Sequence, residues 1–468
     1  MKTKILSAIL LLAVSVGASA QSLKSGYFTE GFTYRHQINP AFQPERRYVS
    51  FPVLGNMNIG LNGNVGLSTF LYESKKPGYD LTTFLSNEVS SETFLSKLKG
   101  KNRIGADINM QIFSFGMPML DGFFTFDLGV HADMRMTMPK DLFVFMKKGM
   151  SSDVTRYSLS NIGASANSYV QIAPGYSRKI NDKLTVGGKL KFLVGLAQVN
   201  AQYDNLDITM SQDRWLIQSQ GYIQSAIKGY GLTFKENEEG HMAIDGFDET
   251  TGGMGPTGFG MAIDLGATYQ LLDDLQLSAS ITDIGFMSWK NVTRADAASE
   301  FLFDGFEGIV TDEDDPAYEG NSIDDQMEQL GDDLEDFFRF RENKSKTKST
   351  KALAATLNIG AEYVFPYYDK LTFAFLSSTR INGKYSSSEG RFYANVAPVN
   401  WFEASINYAC SSYGSSFGWL LNFHPRGFNF FIGSDTQFFK VSPQFIPVGR
   451  ANANISFGIN FPFGELID

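Results

Sequence analysis

From residue 123 to 138 the chain alternates without a break. Phe124, Phe126, Leu128, Val130, Ala132, Met134, Met136 and Met138 share one parity, while Thr125, Asp127, His131, Asp133 and Arg135 share the other. Successive side chains of a strand point to opposite faces, so this stretch predicts a strand with one apolar and one charged face. The same period recurs at 103–115, 184–196, 259–270 and 353–363, then in shorter runs at 371–380, 391–397, 401–409, 417–424, 428–434 and 451–463. All of these are predicted strands with two unlike faces.

Strands of soluble sandwiches alternate too, but they run about 5 or 6 residues, whereas a strand crossing a bilayer needs about 9 to 11. Residues 123–138 hold their phase well beyond the shorter figure. The apolar faces are almost free of charge, and the opposite faces mix charged residues with Gly, Ser, Thr and Asn. Lipid on one side and a wet lumen on the other explain that division. Hydrocarbon offers no partner to a free sheet edge, so such a sheet has to close on itself.

Connection lengths point the same way. Tight links at 116–122, 180–183, 271–274, 366–370, 398–400 and 425–427 alternate with mostly longer ones at 86–102, 139–166, 200–257, 285–351, 381–390 and 435–450; the link at 410–416 is short. Outer-membrane barrels have short periplasmic turns and long external loops. With a first strand near 48–67, the pattern predicts an all-β fold: a transmembrane antiparallel β-barrel of about fourteen strands, range roughly 12 to 16, with both termini in the periplasm. The even positions from Phe124 to Met138 then face lipid.

The N-terminus changes the picture by adding an address. Lys2 and Lys4 precede an apolar run at 5–16, and Ala18-Ser19-Ala20 meets the small-x-small rule, so residues 1–20 read as a signal peptide cleaved after Ala20. Export and a barrel together predict the outer membrane of a Gram-negative bacterium, with membrane lipid and lipopolysaccharide as its surroundings. No later run reaches the roughly 18 to 20 apolar residues of a spanning helix. A lumen of this size needs partial filling, and residues 21–47, rich in polar and turn residues, are the expected periplasmic or lumenal insert, leaving 48–468 for the barrel. A mean hydropathy of −0.14 is too polar for a helical membrane protein. The net charge of −10 falls to −12 when Lys2 and Lys4 leave with the leader, which disfavours nucleic acid as a partner. Cys410, the only cysteine, excludes an internal disulfide.

Parity also selects candidate lumen-lining residues: Asp127, His131, Asp133, Arg135, Lys189, Lys191, Asp264 and Glu362, with His424 a further inward candidate. His131 and Asp133 have the chemistry of an acid/base pair. No serine or water-positioning partner is bound by sequence to meet them, so a self-satisfying ladder of hydrated charges is the favoured reading. No enzymatic activity, cofactor or metal is expected. The acidic tract at 304–336 suggests cation bridging to lipopolysaccharide or simply a solvated loop; as an EF-hand it fails at Pro316 and Ala317. Residues 323–340 predict a short helix, and 81–98 a helix at the membrane surface, over the mouth, or packed on the barrel. Gly252-Gly253-Met254-Gly255 precedes a strand, not a helix, which argues against a phosphate loop.

The stretches FTYRHQINPAFQPERRYVSFPVLGN, ASANSYVQIAPGYSRKINDKLTVGGKLKFLVGLA and SASITDIGFMSW resemble a family of uncharacterised exported outer-membrane β-barrel proteins of unknown function, which imports no activity. More distantly, Asn39-Pro40-Ala41 followed by about fourteen strands is similar to the long-chain fatty-acid transporter family, where an N-terminal hatch carrying such a tripeptide sits in the lumen. That resemblance implies passive binding or transport of a hydrophobic small molecule. The alternative is a structural or secretion-partner barrel whose external loops bind other envelope proteins.

Overall fold

The computed structural model describes residues 23–149, 156–211, 214–236, 242–249, 253, 255–311, 318, 320–436 and 452–466. The leader, the stretch 312–317 with Pro316 and Ala317, and Gly252 and Met254 lie outside the described residues.

Long alternating segments cannot bury both faces alike, and here they join edge to edge. A 14-strand antiparallel barrel results. Its strands are β1 (in two pieces, Arg47–Ser50 and Met57–Gly63), β2 (Lys101–Met119), β3 (Gly122–Pro139), β4 (Gly163–Lys179), β5 (Leu184–Met210), β6 (Gly258–Leu272) and β7 (Leu275–Lys290). β8 (Lys348–Ala352 with Ala355–Val364), β9 (Leu371–Ile381), β10 (Ser387–Val399), β11 (Phe402–Ser411), β12 (Gly414–Phe423), β13 (Asn429–Ser434) and β14 (Ala453–Phe463) complete the ring. Each pairs with the next, and β14 pairs with β1 through Val49 opposite Phe461 and Ile59 opposite Ile455. No sheet edge is left for hydrocarbon to desolvate.

The two faces are unlike along every strand. Leu190, Phe192, Ile263, Leu265, Ile359, Phe392 and Ile406 are exposed on the outside, and the intervening Lys189, Lys191, Asp264, Asn358, Arg391 and Asn407 are buried within. Ile406, 54% exposed at the middle of β11, offers a direct check. Ile406→Arg is expected to destabilise the barrel by about 2–4 kcal/mol, read from the urea midpoint of folding into phospholipid vesicles, whereas Ile406→Leu leaves that midpoint in place.

Four expectations need correction. The first strand is not continuous over 48–67. It breaks at 51–56, where Pro52 has no N–H for the ladder and Val53 adopts a φ of 67°. Single bonds bridge the gap, from Phe51 N to Ile459 O and from Val53 N to Ile112 O. The alternation at 103–115 also slips: a bulge between Gln111 and Phe113 moves the lipid-facing parity onto Phe113 and Phe115, so Ile112 is not part of one unbroken face.

The long connections at 200–257 and 285–351 are in large part sheet. β5 runs on to Met210 and pairs with Trp215–Ile227, which pairs in turn with Thr293–Phe303. Tyr230–Glu236 and Met242–Glu249 form a further ladder beside them. The cause is that Leu206, Ile208 and Met210 keep alternating past the barrel, and they pack on Ile217, Tyr157 and Phe337 in a small core of their own. Helix Ile323–Phe337, started by a capping box between Ser322 and Asp325, adds Leu334 and Phe337 to that core. Finally, 81–98 is not one helix. Leu81–Thr83 is a strand paired with Leu71–Glu73, and only Ser91–Leu95 is helical, with Ser90 accepting from Thr93 N. Phe94, Leu95 and Leu98 pack on Val65 and Phe143. Among the described residues no helix is long and apolar enough to cross a membrane.

Candidate functional site: a cavity above a lumenal insert

Residues 24–42 lie inside the ring as two 3-10 turns, Lys24–Gly26 and Thr33–Gln37, with linking bends. Backbone groups inside a barrel still need partners, and wall side chains supply them. Asp435 accepts from Lys24 N at 2.9 Å and Ser25 N at 2.6 Å, Glu403 accepts from Gly31 N at 3.0 Å, and Ser280 Oγ donates to Ile38 O at 2.8 Å. Apolar contacts do the rest. Tyr27, Phe28 and Phe42 pack with Leu376 and Tyr393, while Phe32 and Tyr34 pack with Tyr48, Phe123 and Phe431.

Asn39, Pro40 and Ala41 sit at the wall between β5 and β6. Asn39 Oδ1 accepts from Ala41 N at 3.0 Å, closing a local turn. The wall makes room by omission. A Cβ on Gly187 would fall 2.0 Å from Pro40 O, and one on Gly266 would fall 2.0 Å from Asn39 Oδ1.

The charged residues sort into clusters above and around the insert. Asp127 receives Lys189 Nζ at 2.6 Å, Ser114 Oγ at 2.9 Å and Gln37 Nε2 at 3.2 Å, with His36 Nε2 3.3 Å away. This ties β2, β3 and β5 to the insert through one buried carboxylate. Arg135 pairs with Asp107. Lys191 bridges Asp264 at 2.8 Å and Asp283 at 2.6 Å. His131 Nδ1 lies 2.5 Å from Asn109 Oδ1 with its ring stacked on Tyr169, and Asp133 accepts from Asn167 at 3.3 Å.

Between these walls is a cavity of about 480 Å³ whose floor is Lys24, Gln37 and Ile38. His131, Asp133, Arg135, Lys189, Lys191 and Asp264 line it. Glu362 does not. It accepts from Thr372 Oγ1 at 2.9 Å, away from that cavity. His424 is also elsewhere, 3.7 Å from Glu403 at the short-turn end.

The family model described as a family of unknown function, DUF5723, matches residues 40–435. The chain belongs to this family. Solved structures similar to this DUF5723 barrel include the Pseudomonas putida toluene transporter TodX, at 10% identity over 96% of each chain and a TM-score of 0.41. The Ralstonia pickettii toluene transporter TbuX is similar at 11% over 91% of each chain and a TM-score of 0.40. A Pseudomonas aeruginosa FadL homologue is similar at 10% over 96% of this chain and 100% of its own, with a TM-score of 0.37. No curated protein matches the sequence.

Several members of the DUF5723 cavity escape a reading by parity. Asp283 follows the inward Thr282 directly, and both face in because Asp283 takes a φ of 62° where the ladder shifts between Ile263 and Leu265. Asp107 was not among the candidate residues, and its pairing with Arg135 depends on the register of β2 against β3. Lys351, Arg380 and Lys384 belong to connections or strand ends, where alternation stops carrying information. Gly187 and Gly266 share the inward parity of Lys189 and Asp264, and parity does not say what they leave space for.

Proposed function

We propose that this protein is a non-enzymatic outer-membrane channel of a Gram-negative bacterium that binds a hydrophobic small molecule in the cavity and passes it on when the insert shifts. The carrying observation is the cavity itself, seated on the insert and walled on one side by Tyr169, Met287, Trp289 and Leu353. A pocket of a few hundred Å³ with an apolar wall suits a small ligand. Since the insert is its floor, any route to the periplasm requires that floor to move.

The uncharged probe 2-naphthylmethanol tests the reading. Saturable binding to the purified full-length protein in amphipol, followed by tryptophan emission, is expected, and Leu353→Asp is expected to weaken it by roughly tenfold or more by placing a charge on the apolar wall. Absence of saturable binding to the unaltered protein would reject the proposal. The partner-binding alternative draws support from one feature, the external sheet with its own core at Leu206, Ile208 and Ile217. Specific cross-linking of an envelope protein to that sheet, lost when residues 215–249 are replaced by a short turn, would favour it.

A further inference from the structure

The cavity is unbalanced in charge. Seven cations and four carboxylates line it, in a chain whose net charge is −10. The deeper cations are matched: Arg135 with Asp107, Lys189 with Asp127, Lys191 with Asp264 and Asp283, and Lys24 with Glu389. The other three, Lys351, Arg380 and Lys384, have no carboxylate within 4.0 Å among the described residues. Asp204 faces both lysines, and Asp133 and Asp283 face Arg380, each from beyond that distance.

Nothing else takes the place of a counter-ion. Lys351 Nζ meets the Tyr222 hydroxyl at 3.2 Å, Lys384 lies 5.5 Å from the Tyr385 ring centroid, and Arg380 Nε is buried without a hydrogen-bond partner. Lys351 is exposed and Arg380 and Lys384 are half-buried, so like charges crowd a wet rim with no acid in contact, and an anion arriving there would be drawn to all three.

We propose that Lys351, Arg380 and Lys384 form an anion-binding subsite at the outer end of the cavity, and that the ligand is a small amphipathic organic anion. This rests on the small-molecule reading above and specifies its chemistry. The three cations come from the upper piece of β8, the end of β9 and the turn Gly383–Tyr385. That turn is drawn across the mouth. Arg103, on β2 halfway round the ring, donates from Nη1 to Ser386 O at 2.7 Å and from Nη2 to Lys384 O at 3.1 Å. The latch holds Lys384 over the cavity and brings a further cation bonded to neutral carbonyls. Tyr169, Met287, Trp289 and Leu353 supply the apolar wall for the remainder of the ligand. A volume of about 480 Å³ restricts that remainder to a body such as one or two aromatic rings.

The experiment compares 2-naphthoate with its uncharged counterpart 2-naphthylmethanol on the purified full-length protein. Naphthoate is expected to bind roughly tenfold or more tightly than the alcohol, with an advantage that shrinks as salt is raised. Lys384→Gln, on an external turn, and the triple variant Lys351→Gln, Arg380→Gln, Lys384→Gln should erase that advantage in steps while alcohol binding stays constant. Heat-modifiable migration of each variant in gels reports whether the barrel has formed. Equal affinity for the two probes, or a naphthoate preference that survives in a folded triple variant, overturns the subsite and leaves the small-molecule reading standing. Failure of both probes overturns the two together.

Discussion

Gly266→Leu is expected to yield a barrel that folds but no longer holds its insert. A Cβ at this position would lie 2.0 Å from Asn39 Oδ1, 2.9 Å from Pro40 Cδ and 3.1 Å from Ala41 N. None of these atoms is the loose end of a flexible side chain, because Asn39 is fixed by its bond to Ala41 N and Pro40 has a fixed φ. Overpacking of this kind typically costs about 1–3 kcal/mol, and leucine adds three further carbons to the clash. The strain falls on the contact between insert and wall, not on the β5–β6 ladder, so the insert yields first. In planar bilayers the unaltered protein should be silent and Gly266→Leu should show discrete conductance steps. Protease should cut within residues 21–47 of the variant where the unaltered protein is protected. Gly188→Leu is the control, since its Cβ would meet nothing nearer than Asp264 O at 3.6 Å. A silent, protected Gly266→Leu barrel would mean that the insert is not seated as described.

Asp127→Ala carries the second large effect, by charge instead of volume. Its carboxylate takes bonds from Lys189, Ser114 and Gln37, and His36 stands beside it. With the carboxylate gone, Lys189 is left 3% exposed with no other acid within 4.0 Å among the described residues. Removing one partner of a buried pair costs about 3–5 kcal/mol, whereas replacing both by apolar groups of similar volume is often neutral. Asp127→Ala should therefore lower the urea midpoint of unfolding sharply and free the insert to protease, and Asp127→Leu with Lys189→Met should recover most of the midpoint. If the double variant is as unstable as the single one, the pair is not what holds this layer together.

The ring was largely legible because closure in hydrocarbon imposes one rule on every strand, and that rule has a period of two. Asp127, Lys189 and Asp264 could be assigned an inward face from parity alone. Their partners were less accessible. Which acid meets Lys191 depends on a ladder shift at Asp264 and Asp283, and a shift of one residue is a local strain that composition does not encode. Glu362 obeys the same parity as the cavity residues yet lies apart from them, since parity fixes the face of a strand and says nothing of where around the ring that strand falls. The external sheet was missed for a related reason. A strand that leaves the membrane goes on alternating, so 200–210 reads as loop only if alternation is assumed to end where lipid does.

The order of the chain gives the insert an unusual place in assembly. Lys24 and Ser25 reach Asp435, Gly31 reaches Glu403, and Thr33 reaches Asn460, all near the far end of the polypeptide. Those partners take up position only as the last strands arrive and β14 meets β1. The first segment of the described chain is thus the last to be locked. A chain released before its C-terminal strands would carry an insert with neither a closed ring nor these partners to receive it.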